Sequence, residues 1–224
     1  MKLTSLKEAV YVQQGIAVLD SGVGGLTVVK EVIRQLPMEK LIYFGDTARA
    51  PYGPRSPEEV RKFTVQIVNY VIRFNPKMIV IACNTATAVA LEWIRKIVSI
   101  PVIGVIFPGA RAAIKRTRTK TVGVIGTEGT IRSMAYEKAL RRTVRNLEII
   151  SLACPKLVPL VEQGSITGEH ALQIVNDSLL PLKEKPLDCL ILGCTHYPFL
   201  QPLIAKTMGP DVALISSAEE TARE

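Results

Sequence analysis

The sequence predicts an α/β fold built from two similar domains, each with its own parallel sheet. Apolar runs of strand length alternate with helix-period segments along all 224 residues. Most of these runs are continuous and β-branched, as expected of parallel strands covered on both faces. Two segments also recur. Ile16-Ala17-Val18-Leu19-Asp20-Ser21-Gly22 resembles Val122-Gly123-Val124-Ile125-Gly126-Thr127-Glu128, and Ile79-Val80-Ile81-Ala82-Cys83-Asn84-Thr85 resembles Leu190-Ile191-Leu192-Gly193-Cys194-Thr195-His196. Two equivalent domains facing each other account for the recurrence.

The strands expected from the apolar runs lie at 16–19, 40–44, 78–82, 102–106, 121–125, 147–152, 189–192 and 212–215. The first helix repeats apolar residues at Leu26, Val29, Ile33 and Leu36 and stops at Pro37. The next has a full start signal: Ser56 as cap, Pro57 in the first turn and Glu59 closing a capping box. Its apolar face is Val60, Phe63, Ile67, Val71 and Phe74. A Pro-Gly break after a strand, at Phe107-Pro108-Gly109, marks the expected boundary. The domains are then 15–106 and 107–215. Ser217 is the expected cap of a last short helix carrying Glu219 and Glu220, too short to be stable alone.

Composition narrows the function. The chain is 48% hydrophobic and 21% charged, enough apolar material for one large or two small domains. No run reaches the ~18 apolar residues of a membrane span. The first 14 residues hold Lys2, Lys7 and Glu8 and lack the apolar core of a secretory signal, so the expected location is the cytoplasm. Cys83, Cys154, Cys189 and Cys194 form no C-x-x-C pair, and Cys194 with His196 makes only C-x-H. With two histidines in the chain, no metal site is expected. The formal charge of +8 gathers in Lys115-Arg116-Thr117-Arg118-Thr119-Lys120 and Arg141-Arg142. Without an aromatic-studded basic strand, this reads as a solvated face that helps draw in an acidic substrate.

Ligands of open α/β sheets bind past the carboxyl ends of strands. Polar clusters stand there: Asp20-Ser21-Gly22-Val23-Gly24-Gly25, Gly45-Asp46-Thr47 with Pro51-Tyr52-Gly53, Cys83-Asn84-Thr85-Ala86-Thr87, and Cys194-Thr195-His196-Tyr197-Pro198. A lone cysteine after an apolar strand is usually a small buried hydrophobe. Cys189, inside a strand, fits that description, and Cys154 is ambiguous. Cys83 and Cys194 differ, because both are expected where a helix begins, which lowers a thiol pKa. The glycine run lacks the G-x-G-x-x-G spacing of dinucleotide sites and reads either as a tight turn or as N–H groups for a carboxylate. Gly126-Thr127-Glu128-Gly129-Thr130 is a similar candidate. Asn84, Thr85 and Thr195 are suited to an amino-acid head group. Asp20 and Asp46 read as caps, ammonium ligands or thiol-tuning groups, and Glu162 as a surface helix residue.

Taken together, these motifs resemble the aspartate/glutamate racemase family, in the glutamate racemase branch, from about residue 15 to 224. Ala82-Cys83 and Gly193-Cys194 are the core of the match, supported by Gly123-Val124-Ile125-Gly126-Thr127, Cys154-Pro155 and Val158-Pro159. The resemblance implies a cleft between the domains and a reaction without pyridoxal phosphate, other cofactor or metal. Cys83 and Cys194 are then the pair that removes and returns the α-proton of glutamate, Asp20 assisting the first and His196 the second. It further implies substrate contacts at Asp20, Ser21, Tyr52, Gly53, Asn84, Thr85, Thr195, His196 and Thr130, and supporting roles for Asp46 and Glu162. D-Glutamate for peptidoglycan, and a homodimer whose arrangement varies, also follow from the resemblance. Some family members modulate DNA gyrase, so an interaction with gyrase or nucleic acid stays open as an added role, although the residues here carry no signature of it. Family chains continue past 224 with a segment that returns to the first domain, so the resemblance implies that 216–224 rejoins that domain, and residues 1 to about 14 precede the family's usual start. Two other readings stay open: a racemase of another acidic amino acid, and a Cys-His hydrolase using Cys194 and His196.

Overall fold

The computed structural model describes residues 14–224, so all but the last residue of the 14-residue segment read above as lacking a secretory core lies outside the described residues. Two four-stranded parallel sheets organise the chain. The first contains β1 (Ile16–Asp20), β2 (Leu41–Gly45), β3 (Met78–Ile81) and β4 (Val102–Gly104) in the order β2-β1-β3-β4. The second contains β5 (Thr121–Gly126), β6 (Glu148–Ala153), β7 (Cys189–Gly193) and β8 (Ala213–Ser216) in the order β6-β5-β7-β8. The two orders are the same. The recurring segments therefore occupy equivalent strands, β1 with β5 and β3 with β7.

Why the runs are continuous is visible in burial. β1, β5 and β7 are buried at every position, whereas the edge strands β2 and β6 are only half-buried. Helices α1 (Leu26–Gln35), α2 (Pro57–Val71), α3 (Asn84–Ile97), α4 (Ile106–Arg116), α5 (Glu128–Arg132), α6 (Ala135–Thr143), α7 (Leu157–Glu162), α8 (Gly168–Lys183), α9 (Gln201–Met208) and α10 (Ser217–Arg223) supply the cover. Val60, Ile67 and Val71 of α2 and Ala90 and Ile94 of α3 close one face of the first sheet. Val28 and Val32 of α1 and Ala218 and Ala222 of α10 close the other. The second sheet lies between α4 with α6 on one side and α7, α8 and α9 on the other.

The start of α2 forms as read. The Ser56 side chain accepts from the Glu59 N–H, and Glu59 reciprocates on the Ser56 backbone. Four local expectations are corrected. Phe74 leaves the apolar face: α2 gives way to a 3-10 turn at Ile72–Phe74, Asn75 turns left-handed, and Phe74 is exposed beside Tyr70. The strand expected at 102–106 stops at Gly104, and Phe107-Pro108-Gly109 is no break but the first turn of α4. Proline is at home there because the N–H it lacks has no intrahelical acceptor. Gly109 is buried, and a Cβ on it would stand 3.2 Å from Ser217 Cβ. Ser217 is not the cap of α10. Ser216 holds that position, while the buried Ser217 hydroxyl turns inward to the Leu192 carbonyl at 3.4 Å. Short as it is, α10 is held by docking: Gln35 donates to the Glu219 carbonyl at 3.1 Å, and Arg111 pairs with Glu224 at 3.1 Å.

Among the described residues, no helix is long and apolar enough to cross a membrane.

Candidate active site

Each sheet changes winding direction beside its second strand in space, between β1 and β3 and between β5 and β7. Loops leaving these strands diverge and open a crevice. Asp20 ends β1, Cys83 follows β3, Thr127 follows β5 and Cys194 follows β7. A cavity of about 560 Å3 lies where the two crevices meet. Both thiols line it, with Ser21, Gly22, Tyr52, Gly53, Asn84, Thr85, Thr195, His196 and Glu162.

Cys83 caps α3, its Sγ accepting from the Ala86 N–H at 3.5 Å. The expected fall in thiol pKa does not follow. Burial pushes Cys83 up to about 11, aided by the nearby Asp20 carboxylate and opposed only partly by hydrogen bonds from Ala86, Ser21 and Thr85. Cys194 is pushed up still further by burial, with the Cys83 and Asp20 charges adding to it. Cys194 also lacks the expected helix start. Thr195 and His196 intervene, and a 3-10 turn at Tyr197–Leu200 precedes α9. A thiol held this high is protonated at neutral pH. Alkylation of Cys83 by iodoacetamide is therefore expected to speed up about tenfold per pH unit between about pH 7 and pH 10, followed by mass spectrometry. A rate that levels off by pH 8 contradicts this.

Each thiol has an acidic or basic neighbour. Asp20 is buried, and its Oδ1 accepts from the Gly22 N–H at 3.0 Å. Its Oδ2 accepts from the Thr195 hydroxyl at 3.2 Å, a bond from the first sheet to the second. Burial raises its pKa to about 6 against the opposing pull of His196. His196 Nδ1 lies 3.8 Å from Cys194 Sγ, and its Nε2 lies 2.5 Å from Glu162 Oε1. A carboxylate at Nε2 favours the tautomer with its proton there, leaving Nδ1 free to accept from the thiol. Glu162 is the last residue of α7, with its side chain 42% exposed. The residue-by-residue reading as a surface helix position missed its carboxylate, which reaches back to the imidazole.

Polar groups for a ligand line the same space. The Asn84 Oδ1 accepts from Tyr136, and its buried Nδ2 has no hydrogen-bond partner among the described residues. Thr85, Thr127 and Thr130 bring three hydroxyls together, Thr85 at 2.8 Å from Thr127 and 3.1 Å from Thr130. Gly53 admits this contact, since a Cβ there would stand 2.8 Å from Thr127 Cβ. Asp20, Thr130 and Asp46 stand behind the lining. Asp46 accepts from the Tyr52 hydroxyl and pairs with Arg49 at 2.7 Å. The candidate list missed Thr127, Cys154, Pro155, Val158 and Pro159, which also line the cavity. The recurrence held a signal for one of them, because Thr127 aligns with Ser21. Among the described residues no cluster of His, Cys, Asp or Glu is suited to a metal ion.

The sequence profile of the Asp/Glu/hydantoin racemase family matches residues 16–224. The chain belongs to that family. It is 58% identical over 211 residues to the glutamate racemase of Bacillus cereus, spanning 94% of this chain and 78% of that protein. A glutamate racemase isoform from Bacillus anthracis superposes with a TM-score of 0.90 at 52% identity, over 94% of this chain and 79% of that one. The Francisella tularensis glutamate racemase in complex with D-glutamate gives 0.89 at 39% identity, over 95% and 79%. The family's two-sheet α/β architecture is thus the one found here, and membership makes the chain an isomerase.

Proposed function

We propose that the chain interconverts L- and D-glutamate, with Cys83 and Cys194 as the two acid/base groups on opposite walls of the cavity. The observation that carries this is the equivalence of the two thiols: each follows the same strand of its own sheet, and both line one space. Inverting a carbon means taking a proton from one face and returning one to the other, which two acid/base groups on opposite walls can do without moving the substrate. One thiol, as thiolate, takes the α-proton, and the opposite thiol gives its own proton to the other face. The first ends as thiol and the second as thiolate, so the charges balance. The carbanion between the steps places negative charge on the α-carboxylate. Donors fixed beforehand offset it. Asn84 Nδ2, the threonine hydroxyls and the loop after β1 are in place for that role. Asp20 serves Cys83, and His196, oriented by Glu162, serves Cys194. The scheme uses no cofactor.

The reading takes 15–106 with 216–224 and 107–215 as the two domains that close on glutamate, with D-glutamate going to peptidoglycan. Buried free thiols suit the reducing cytoplasm. The Cys194–His196–Glu162 alignment also has the order of a Cys-His-acid hydrolase, but that reading leaves Cys83 and Asp20 without a part. In heavy water the α-hydrogen of L-glutamate is expected to exchange as D-glutamate appears, followed by proton NMR and circular dichroism. Absence of exchange with either enantiomer refutes the proposal, and faster exchange with aspartate moves the substrate to another acidic amino acid.

A further inference from the structure

One buried side chain outside the cavity reaches the flanks of both thiols. Tyr136, on α6, is 1% exposed, and nothing in the scheme above uses it. Its hydroxyl lies 2.7 Å from Asn84 Oδ1, on α3 of the first half of the chain. The edge of its ring lies over Gly193: a Cβ there would stand 2.9 Å from Tyr136 Cε2. Asn84 follows Cys83, and Gly193 precedes Cys194. One side chain thus touches the neighbour of each thiol.

We propose that Tyr136 is a positioning residue for glutamate: its hydroxyl fixes the Asn84 amide so that Nδ2 faces the cavity, while its ring seats the strand end that carries Cys194. This rests on the glutamate racemase reading and deepens it. An amide has one acceptor end and one donor end. A phenol that donates to Oδ1 holds the acceptor end, which leaves the donor end turned the other way. That donor end is the buried Nδ2 without a partner, on a residue that lines the cavity. Leaving a buried donor unpaired is costly, so its partner is expected among ligand atoms. The substrate's carboxylate oxygens are acceptors of the right kind. Without the phenol nothing holds the amide that way round, and an amide that has turned its Oδ1 to the cavity presents an acceptor to a carboxylate and has to be turned back on binding.

Tyr136→Phe removes one oxygen and keeps the ring on Gly193. The expected result is a rise of about tenfold or more in KM and in the calorimetric Kd for glutamate, with kcat changed far less. A purely structural role moves the melting temperature and leaves the Kd alone. In an Asn84→Ala background, Tyr136→Phe is expected to change the Kd less than about twofold, because its effect passes through the amide. Asn84→Asp gives a second readout: it can still accept from Tyr136 but offers no donor, and it is expected to weaken glutamate binding at least as much as Tyr136→Phe. Parent-like Kd in Tyr136→Phe or Asn84→Asp, or an undiminished effect in the Asn84→Ala background, overturns the proposal. If the parent chain itself exchanges no α-hydrogen, the glutamate reading fails first, and with it the substrate assigned to this amide.

Discussion

Cys83→Ser and Cys194→Ser are each expected to lower racemisation by about 10³-fold or more in both directions, since in the proposed scheme every turnover uses both thiols and proton transfer of this kind contributes about 10²–10⁴-fold. A hydroxyl is a much weaker acid than a thiol, and the burial that holds Cys83 near 11 raises it further still. Serine nearly matches the thiol in size, so folding should survive, which a melting curve checks. A sharper result separates two bases from one. Each variant keeps a thiol on one wall, so each is expected to retain slow exchange of the α-hydrogen of one enantiomer without inversion. The two variants should prefer opposite enantiomers. Racemisation within tenfold of the parent by either variant, or the same preferred enantiomer for both, excludes the two-wall scheme.

Gly24→Ala is the second change expected to have a large effect. Gly24 lies in the turn between β1 and α1, and a Cβ there would stand 2.5 Å from His196 Nδ1 and 2.5 Å from Thr195 Oγ1. Both atoms belong to the other half of the chain. His196 cannot yield easily, because Glu162 holds its far nitrogen and the imidazole is buried. Thr27, one turn along, donates to the Thr195 carbonyl at 3.1 Å and keeps the same two loops together. The added methyl must therefore push the imidazole from Cys194 or part the loops. A displacement near 1 Å at a reacting group costs about 10²-fold in rate. The measured drop in kcat should reach that size while the melting temperature falls only modestly. Parent-like kcat would show that the turn relaxes without disturbing His196.

The sequence made all eight strands legible because buried parallel strands write themselves as unbroken apolar runs, Ile79-Val80-Ile81 being the plainest. Recurrence then placed Cys83 and Cys194 at equivalent strand ends, which the matching strand orders bear out. What stayed hidden depended on long-range packing. Ser217 looks like a helix cap until the Leu192 carbonyl arrives beside it. Pro108 looks like a break because proline opens helices as readily as it ends them. Thiol acidity was misread because a helix start was weighed without the burial that outweighs it. The carboxylate of Glu162, 34 residues before His196, meets it only because α7 and the turn after β7 share a core through Val161, Tyr197 and Leu200.

The matching strand orders of the two sheets bear on the reaction's bookkeeping. L- and D-glutamate are mirror images and equal in energy in water, so the overall equilibrium constant is one. Any catalyst must then give the same kcat/KM in both directions, and a kcat that differs between the enantiomers is matched by the same ratio of their KM values. A duplicated scaffold suits such a reaction, since in the proposed scheme it presents one kind of acid/base group to each face. The duplication stops at the groups beside the thiols, a carboxylate near one and an imidazole near the other. That asymmetry cannot bias the final mixture. It is confined to which enantiomer dwells longer in the cleft, a ratio readable from bound-state NMR as a population other than one half.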